Sequence, residues 1–294
     1  MIKTTLFTIS IVLTMVWSPS VDAEALADNE ADPVLVFVSI PPQKFIVEQL
    51  AGALVSVEVL LPPGASPATY EPTPRQMAML DHAALYLQIG APFEGPLLAK
   101  MAALMPHLRV IDCRQGVELD PLSAGDHAHS GVTMDPHIWL DPARMKIVAA
   151  TSRAALGDVL QDSDSDLDRN LDLLLDEIDL ADAQVSTVLD PFDGREILVF
   201  HPAYGYFTRR YGLRQMAVET EGRAPSARKL ASVLATFEDR VPPAIFIQPQ
   251  FSSSAAQTIA DALGCGVVEL DPLAEDYLVN LRTMATRIAT ALED

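Results

Sequence analysis

From Val34 onward, short, nearly continuous apolar runs alternate with amphipathic stretches. Val34–Ser39 reads as a buried strand, followed over Gln43–Ala51 by a helix with Phe45, Ile46 and Leu50 on one side. Strand patterns recur at Val55–Leu61, Ala84–Ile89 and Arg109–Asp112, with helices expected over Pro74–Ala84 and Phe93–Met105. Apolar strands separated by helices belong in parallel sheets covered on both faces. The pattern then restarts, with strands expected at Glu196–Phe200, Gln215–Glu219, Ala244–Gln248 and Val267–Leu270. Helices are expected at Ala203–Tyr211, Ser226–Asp239, Ser253–Leu263 and Glu275–Leu292. The fold class is α/β, as two lobes of similar, Rossmann-like design.

Between the lobes lies the most regular segment of the chain. Leu167, Leu171, Leu174, Ile178, Ala181, Val185 and Val188 are spaced four-three-four-three and form one stripe on a helix. Asp164–Leu189 would run about 39 Å at ~1.5 Å per residue, enough to join both lobes as a rigid linker. A coiled-coil segment is the other reading of such a stripe. The expected organisation is therefore 1–23 a leader, 24–160 the N-terminal lobe, 161–190 the linker helix and 191–294 the C-terminal lobe.

The leader follows from Lys3, the apolar run Leu6–Trp17 and the small-x-small site Val21-Asp22-Ala23, the layout of a cleavable secretory signal peptide. No later stretch approaches ~18 consecutive apolar residues, so a soluble exported protein is expected. A lipid anchor would need a cysteine at the new N-terminus, and the two cysteines are Cys113 and Cys265. Both read as small buried hydrophobes, with a disulfide between them open. The formal charge of −20 disfavours nucleic acid and anionic membrane surfaces and suits a cationic ligand without proving one. Part of that charge is the carboxylate run from Asp164 to Asp182, opposed within it only by Arg169 and read as a solvated helix face.

In open parallel sheets, ligands bind beyond the carboxyl ends of the strands. That rule singles out the Pro62-Pro63-Gly64 loop, His201 after Phe200, Glu219, the Gln248-Pro249-Gln250 turn and Asp271 after Leu270. His137 sits on a proline-bracketed turn, Asp135 to Pro142. Imidazoles at His137 and His201 with a carboxylate at Asp271 are good metal ligands. His82 and His107 read as surface groups, and Trp139 and Tyr206 as packing residues.

Several segments, in order, resemble the solute-binding proteins of ABC importers for zinc and manganese. Leu61–Pro74 is similar to their first ligand loop, Asp135–Pro142 to the second, Phe200–Tyr206 to the third and Leu270–Tyr277 to the fourth. Phe246–Ser253 is similar to another recurrent segment, and the likeness runs from about Val34 to Leu292. The resemblance implies two α/β lobes joined by a long helix, with a metal in the cleft. His137, His201 and Asp271 would be its second, third and fourth ligands. The family's usual first-loop histidine is replaced by Ala68, which cannot coordinate. Three explanations stand open: His127 or His129 swings in from the Asp126–Ser130 loop, water completes a tetrahedron, or the site takes something else. Those two histidines also read as solvated groups, or as loose collectors that pass metal inward.

A His, His, Asp set is borderline in softness and suits Zn2+, with Mn2+ or Fe2+ ranked below it. Relatives of the manganese type tend to carry a carboxylate where this chain has His201. Glu71 and Glu219 are candidate oxygen donors or supporting partners, and also read as a water-facing loop carboxylate and a capping group. The expected function is periplasmic capture of one divalent ion by a monomer and its delivery to an ABC-type permease, without catalysis. The alternatives are a metal-dependent hydrolase, with Glu71 or Glu219 as base, and a binder of a metal chelate. No Gly-rich phosphate loop or serine elbow supports an enzyme.

Overall fold

A computed structural model describes residues 32–122, 134–160, 163–219, 231, 235 and 241–293. The expected leader, His127, His129 and most of the helix expected over Ser226–Asp239 lie outside the described residues. Strands β1 (Val34–Val38), β2 (Val55–Val59), β3 (Leu85–Gln88) and β4 (Arg109–Asp112) form one parallel sheet in the order β2-β1-β3-β4. Strands β5 (Glu196–Val199), β6 (Arg214–Ala217), β7 (Ala244–Ile247) and β8 (Gly266–Glu269) form a second parallel sheet, β6-β5-β7-β8. The two windings are the same, and each reverses direction beside its first strand. That switch point is where crevices open in such sheets. The faces alternate as a period of two requires: Ile197 and Val199 join the larger core, while Leu198 and Phe200 join a smaller cluster with Ile245 and Ile259.

Helices α1 (Pro41–Ala51), α2 (Pro74–Leu80) and α3 (Glu94–Leu104) belong to the first half of the chain. The α2 start is written locally: the Thr73 side chain accepts from the Gln76 backbone N–H, and Pro74 occupies the first helical position. Pro41 and Pro42 extend α1 two residues ahead of the expected start, because proline costs nothing where the first N–H groups have no helical partner. One helix was not expected. α4 (Pro142–Gly157) begins at Asp141, whose side chain accepts from Ala143 N. Its buried positions Met145, Val148, Ala149, Ser152, Ala155 and Leu156 do keep helical spacing, but small residues among them disguise the apolar face.

α5 spans Asp164–Leu189, the range that its stripe predicts, and packs against α1, α4 and the last helix, α8 (Tyr277–Glu293). One stripe position differs. Val188 is 37% exposed, while Leu189 is buried. An α-helix drifts about 20° per heptad against a four-three repeat, so by the third heptad the buried line has moved on by one residue. The acidic face is also less solitary than its sequence suggests. Arg153 of α4 pairs with Asp164 and Asp168, Lys146 with Asp179, and Arg210 of α6 (Gly205–Arg210) with Asp182. The remaining helix, α7 (Ser253–Leu263), covers the second sheet and ends at Gly264 in the left-handed conformation.

Cys113 is fully buried beside Ser152 and Cys265 is partly exposed; both are free thiols. The expectation of two buried cysteines thus holds for the first alone, since Cys265 follows the helix-ending glycine at the surface end of β8. Burial pushes the Cys113 thiol up to about 12, which leaves it an inert packing group.

The α5 stripe carries the first prediction. Ile178→Ala, at a fully buried position, should cost about 2–5 kcal/mol of stability. Leu173→Ala, at a site 58% exposed, should change stability by no more than about 0.5 kcal/mol. Urea unfolding of the two variants measures the contrast.

Candidate metal centre

His201 stands one residue beyond the Phe200 that ends the β5 run, at the switch point of the second sheet. The ladder continues past β6, where Glu219 N donates to Phe200 O at 2.9 Å, and this register brings the Glu219 side chain beside the imidazole. Glu219 Oε2 lies 2.5 Å from His201 Nδ1, with the carboxylate 3% exposed. The ring stacks at a tilt on Phe251, with centroids 5.2 Å apart.

His137 is held in the same manner from the other half of the chain. Asp135 Oδ1 accepts from the His137 backbone N–H at 3.0 Å and lies 2.7 Å from ring Nδ1. The intervening Pro136 and the 3-10 turn Ile138–Leu140 fix this loop on the N-terminus of α4. In both histidines the carboxylate takes Nδ1–H, so the lone pair remains on Nε2, the atom left to meet a cation. The two rings face each other with centroids 5.4 Å apart at 76°.

Asp271 follows Leu270 at the end of β8. Its Oδ1 accepts from Gln250 Nε2 at 3.1 Å and from Leu273 N at 2.9 Å. The residue lines a pocket of about 120 Å³ whose far wall is Leu61, Pro62, Pro63 and Gly64 of the first loop. Trp139, 1% exposed, donates from Nε1 to Pro272 O at 2.8 Å and packs edge-on against His137, so one ring ties the His137 and Asp271 loops together. Tyr204 donates to Leu270 O at 2.8 Å; burial, and then the nearby Asp271 charge, push its hydroxyl well up, keeping it a neutral donor.

The structure thus brings His137, His201 and Glu219 together and sets Asp271 on the adjoining loop. Among the described residues, no group of three or more His, Cys, Asp or Glu side chains is arranged to hold an ion as it stands. Ala68 and Glu71 are exposed on the first loop, His82 is exposed in the turn between α2 and β3, and His107 bonds the Asp81 carbonyl at the surface. Sequence reasoning missed Asp135 as the partner of His137. Its signal was the Asp-Pro-His spacing, in which a side chain caps a backbone N–H two residues on.

The seam between the halves has further ties. Tyr206, 1% exposed, has the guanidinium groups of Arg144 and Arg209 over its ring, at 4.5 and 5.0 Å from the centroid. Asp120 Oδ2 accepts from both arginines, and Tyr206 OH donates to Asp135 O at 3.1 Å. Tyr206 is thus a packing residue with a polar handle on the loop that carries His137.

Two α/β lobes of one winding, a long helix between them and a histidine from each at the seam define a protein of the cleft-binding class for metal ions. Solved structures agree: the chain is similar to "Crystal structure of ZnuA", at 37% identity and a TM-score of 0.81, covering 88% of this chain and 99% of that one. A family model described as "Zinc-uptake complex component A periplasmic" matches residues 36–291, and the chain belongs to this ZnuA family. It is 27% identical over 258 residues to the "Putative metal-binding protein" of Chlamydia trachomatis serovar D, covering 86% of this chain and 90% of that one. To the "High-affinity zinc uptake system protein ZnuA" of Yersinia pestis it is 28% identical over 271 residues, covering 83% and 85%.

The buried carboxylates generate the second prediction. Glu219→Ala or Asp135→Ala frees an imidazole to rotate, and zinc affinity should fall about 10- to 100-fold in each. Competition with a chromogenic chelator reads the loss; native affinity in both variants would mean that ring orientation is irrelevant to binding.

Proposed function

We propose that this chain captures a single divalent ion, zinc ahead of manganese or iron, outside the cytoplasmic membrane and delivers it to an ABC-type permease. The observation that carries this reading is the meeting of the His137 and His201 rings across the seam, each backed by a carboxylate on Nδ1. Two imidazoles whose Nδ1 atoms are taken by carboxylates, leaving Nε2 for a cation, suit zinc chemistry. Asp271 is the third ligand, brought in from the loop that Trp139 already ties to His137. A small closing motion of the loops completes the set, with water or a histidine of the 126–130 loop in the fourth position.

Membership of a zinc-uptake family described as periplasmic supports both the cargo and the compartment. No helix among the described residues is long and apolar enough to cross a membrane, which fits a receptor that hands its ion to a separate permease. A monomer suffices, since both imidazoles come from one chain. The hydrolase reading needs a base beside an open water position. Glu219 is engaged by His201 and Glu71 is exposed on its loop, so neither suits that task.

Calorimetric titration of the metal-free protein tests the proposal. One zinc should bind per chain, and His201→Ala or Asp271→Ala should weaken it by more than about 100-fold, roughly 2.8 kcal/mol. Native affinity in both variants would remove the site. Replacing His127 and His129 together by alanine separates the two ways of filling the fourth position: a large loss assigns it to that loop, and no change assigns it to water.

A further inference from the structure

The turn Gln248-Pro249-Gln250, at the carboxyl end of β7, joins the two ligand loops of the second lobe. Gln248 is 1% exposed and donates from Nε2 to the His201 carbonyl at 3.0 Å. On the other side of Pro249, Gln250 donates from Nε2 to Asp271 Oδ1 at 3.1 Å. The same oxygen also accepts from Leu273 N at 2.9 Å. Both donors fall on Oδ1, and none among the described residues bonds Oδ2.

A carboxylate held in this way offers a cation one oxygen. Single-oxygen ligation fits zinc, which is satisfied by four ligands of mixed nitrogen and oxygen. Manganese is harder and takes more oxygen ligands, so it gains when a carboxylate turns both oxygens to it. The Leu273 N–H is fixed by the chain itself. Gln250 is the side chain that keeps Asp271 from rotating about its last torsion to present both atoms.

We propose that Gln250 sets the metal preference of this site, holding Asp271 to one-oxygen coordination and so favouring zinc over manganese. The inference rests on the assignment of Asp271 as a ligand. Gln250 itself is a positioning residue: it acts through the carboxylate and does not touch the ion.

The test is competitive titration of zinc against manganese in the native chain and in Gln250→Leu, which keeps bulk and removes the donor. Gln250→Met serves as the second variant should the first fail to fold. Zinc binding should weaken about 10-fold or more, while manganese binding holds or tightens, so that the zinc-to-manganese affinity ratio falls by at least that factor. A purely structural role would weaken both ions in parallel. An unchanged ratio, with Asp271→Asn still damaging zinc binding, overturns the role of Gln250 alone. Zinc affinity insensitive to Asp271→Asn overturns the ligand assignment and this inference with it.

Discussion

Each imidazole at the seam is backed by a buried carboxylate, Asp135 behind His137 and Glu219 behind His201, and the chemistry of the site depends on that pairing. The carboxylates orient the rings and choose the tautomer. They also carry an electrostatic burden. Asp135 Oδ2 and Glu219 Oε1 are buried and find no hydrogen-bond partner among the described residues. Buried negative charge is costly unless something positive stands near it. Under the ligand assignment proposed above, a dication bound by the two rings would supply that charge, and relief of the burial cost would add to its affinity.

The rest of the fold keeps the two pairs in register. His201 and Glu219 are related by the ladder of one sheet, which makes that pair rigid. His137 and Asp135 sit on a loop of the other half, and three ties hold that loop to its neighbour: Trp139 to Pro272, Tyr206 to the Asp135 carbonyl, and the Arg144–Tyr206–Arg209 stack closed by Asp120. The buried stripe of α5 packs against α1 and α4 and against α8. Wide separation of the lobes would have to break all of these attachments at once, so they favour loop adjustment and slight rocking over a large opening.

Most of the scaffold was legible in the sequence. Unbroken apolar runs announced covered parallel strands, and the four-three stripe marked α5 to its last residue. Failures came where side chains are small or where three dimensions intervene. α4 hid because alanine and serine fill part of its buried face, and Val188 was misplaced because a helix does not keep a heptad's angle. The site was half legible. Strand-end logic singled out His201, Glu219 and Asp271, and the structure sets the first two side by side and Asp271 on the loop after β8; the resemblance ranked His137, His201 and Asp271 as successive ligands. The Asp-Pro-His spacing did carry the Asp135–His137 pair and went unread, whereas the neutralisation of part of the acidic run of α5 by neighbouring helices depends on contacts between distant segments that no spacing encodes.

The position of Trp139 has a practical corollary. The chain holds two tryptophans, and the other, Trp17, falls in the expected leader. The mature form would then own one indole, packed edge-on against His137 and bonded across the seam. By the ligand assignment proposed above, the tryptophan emission of that form originates beside the ion, giving the molecule an intrinsic optical signal for ion arrival and departure that needs no attached label.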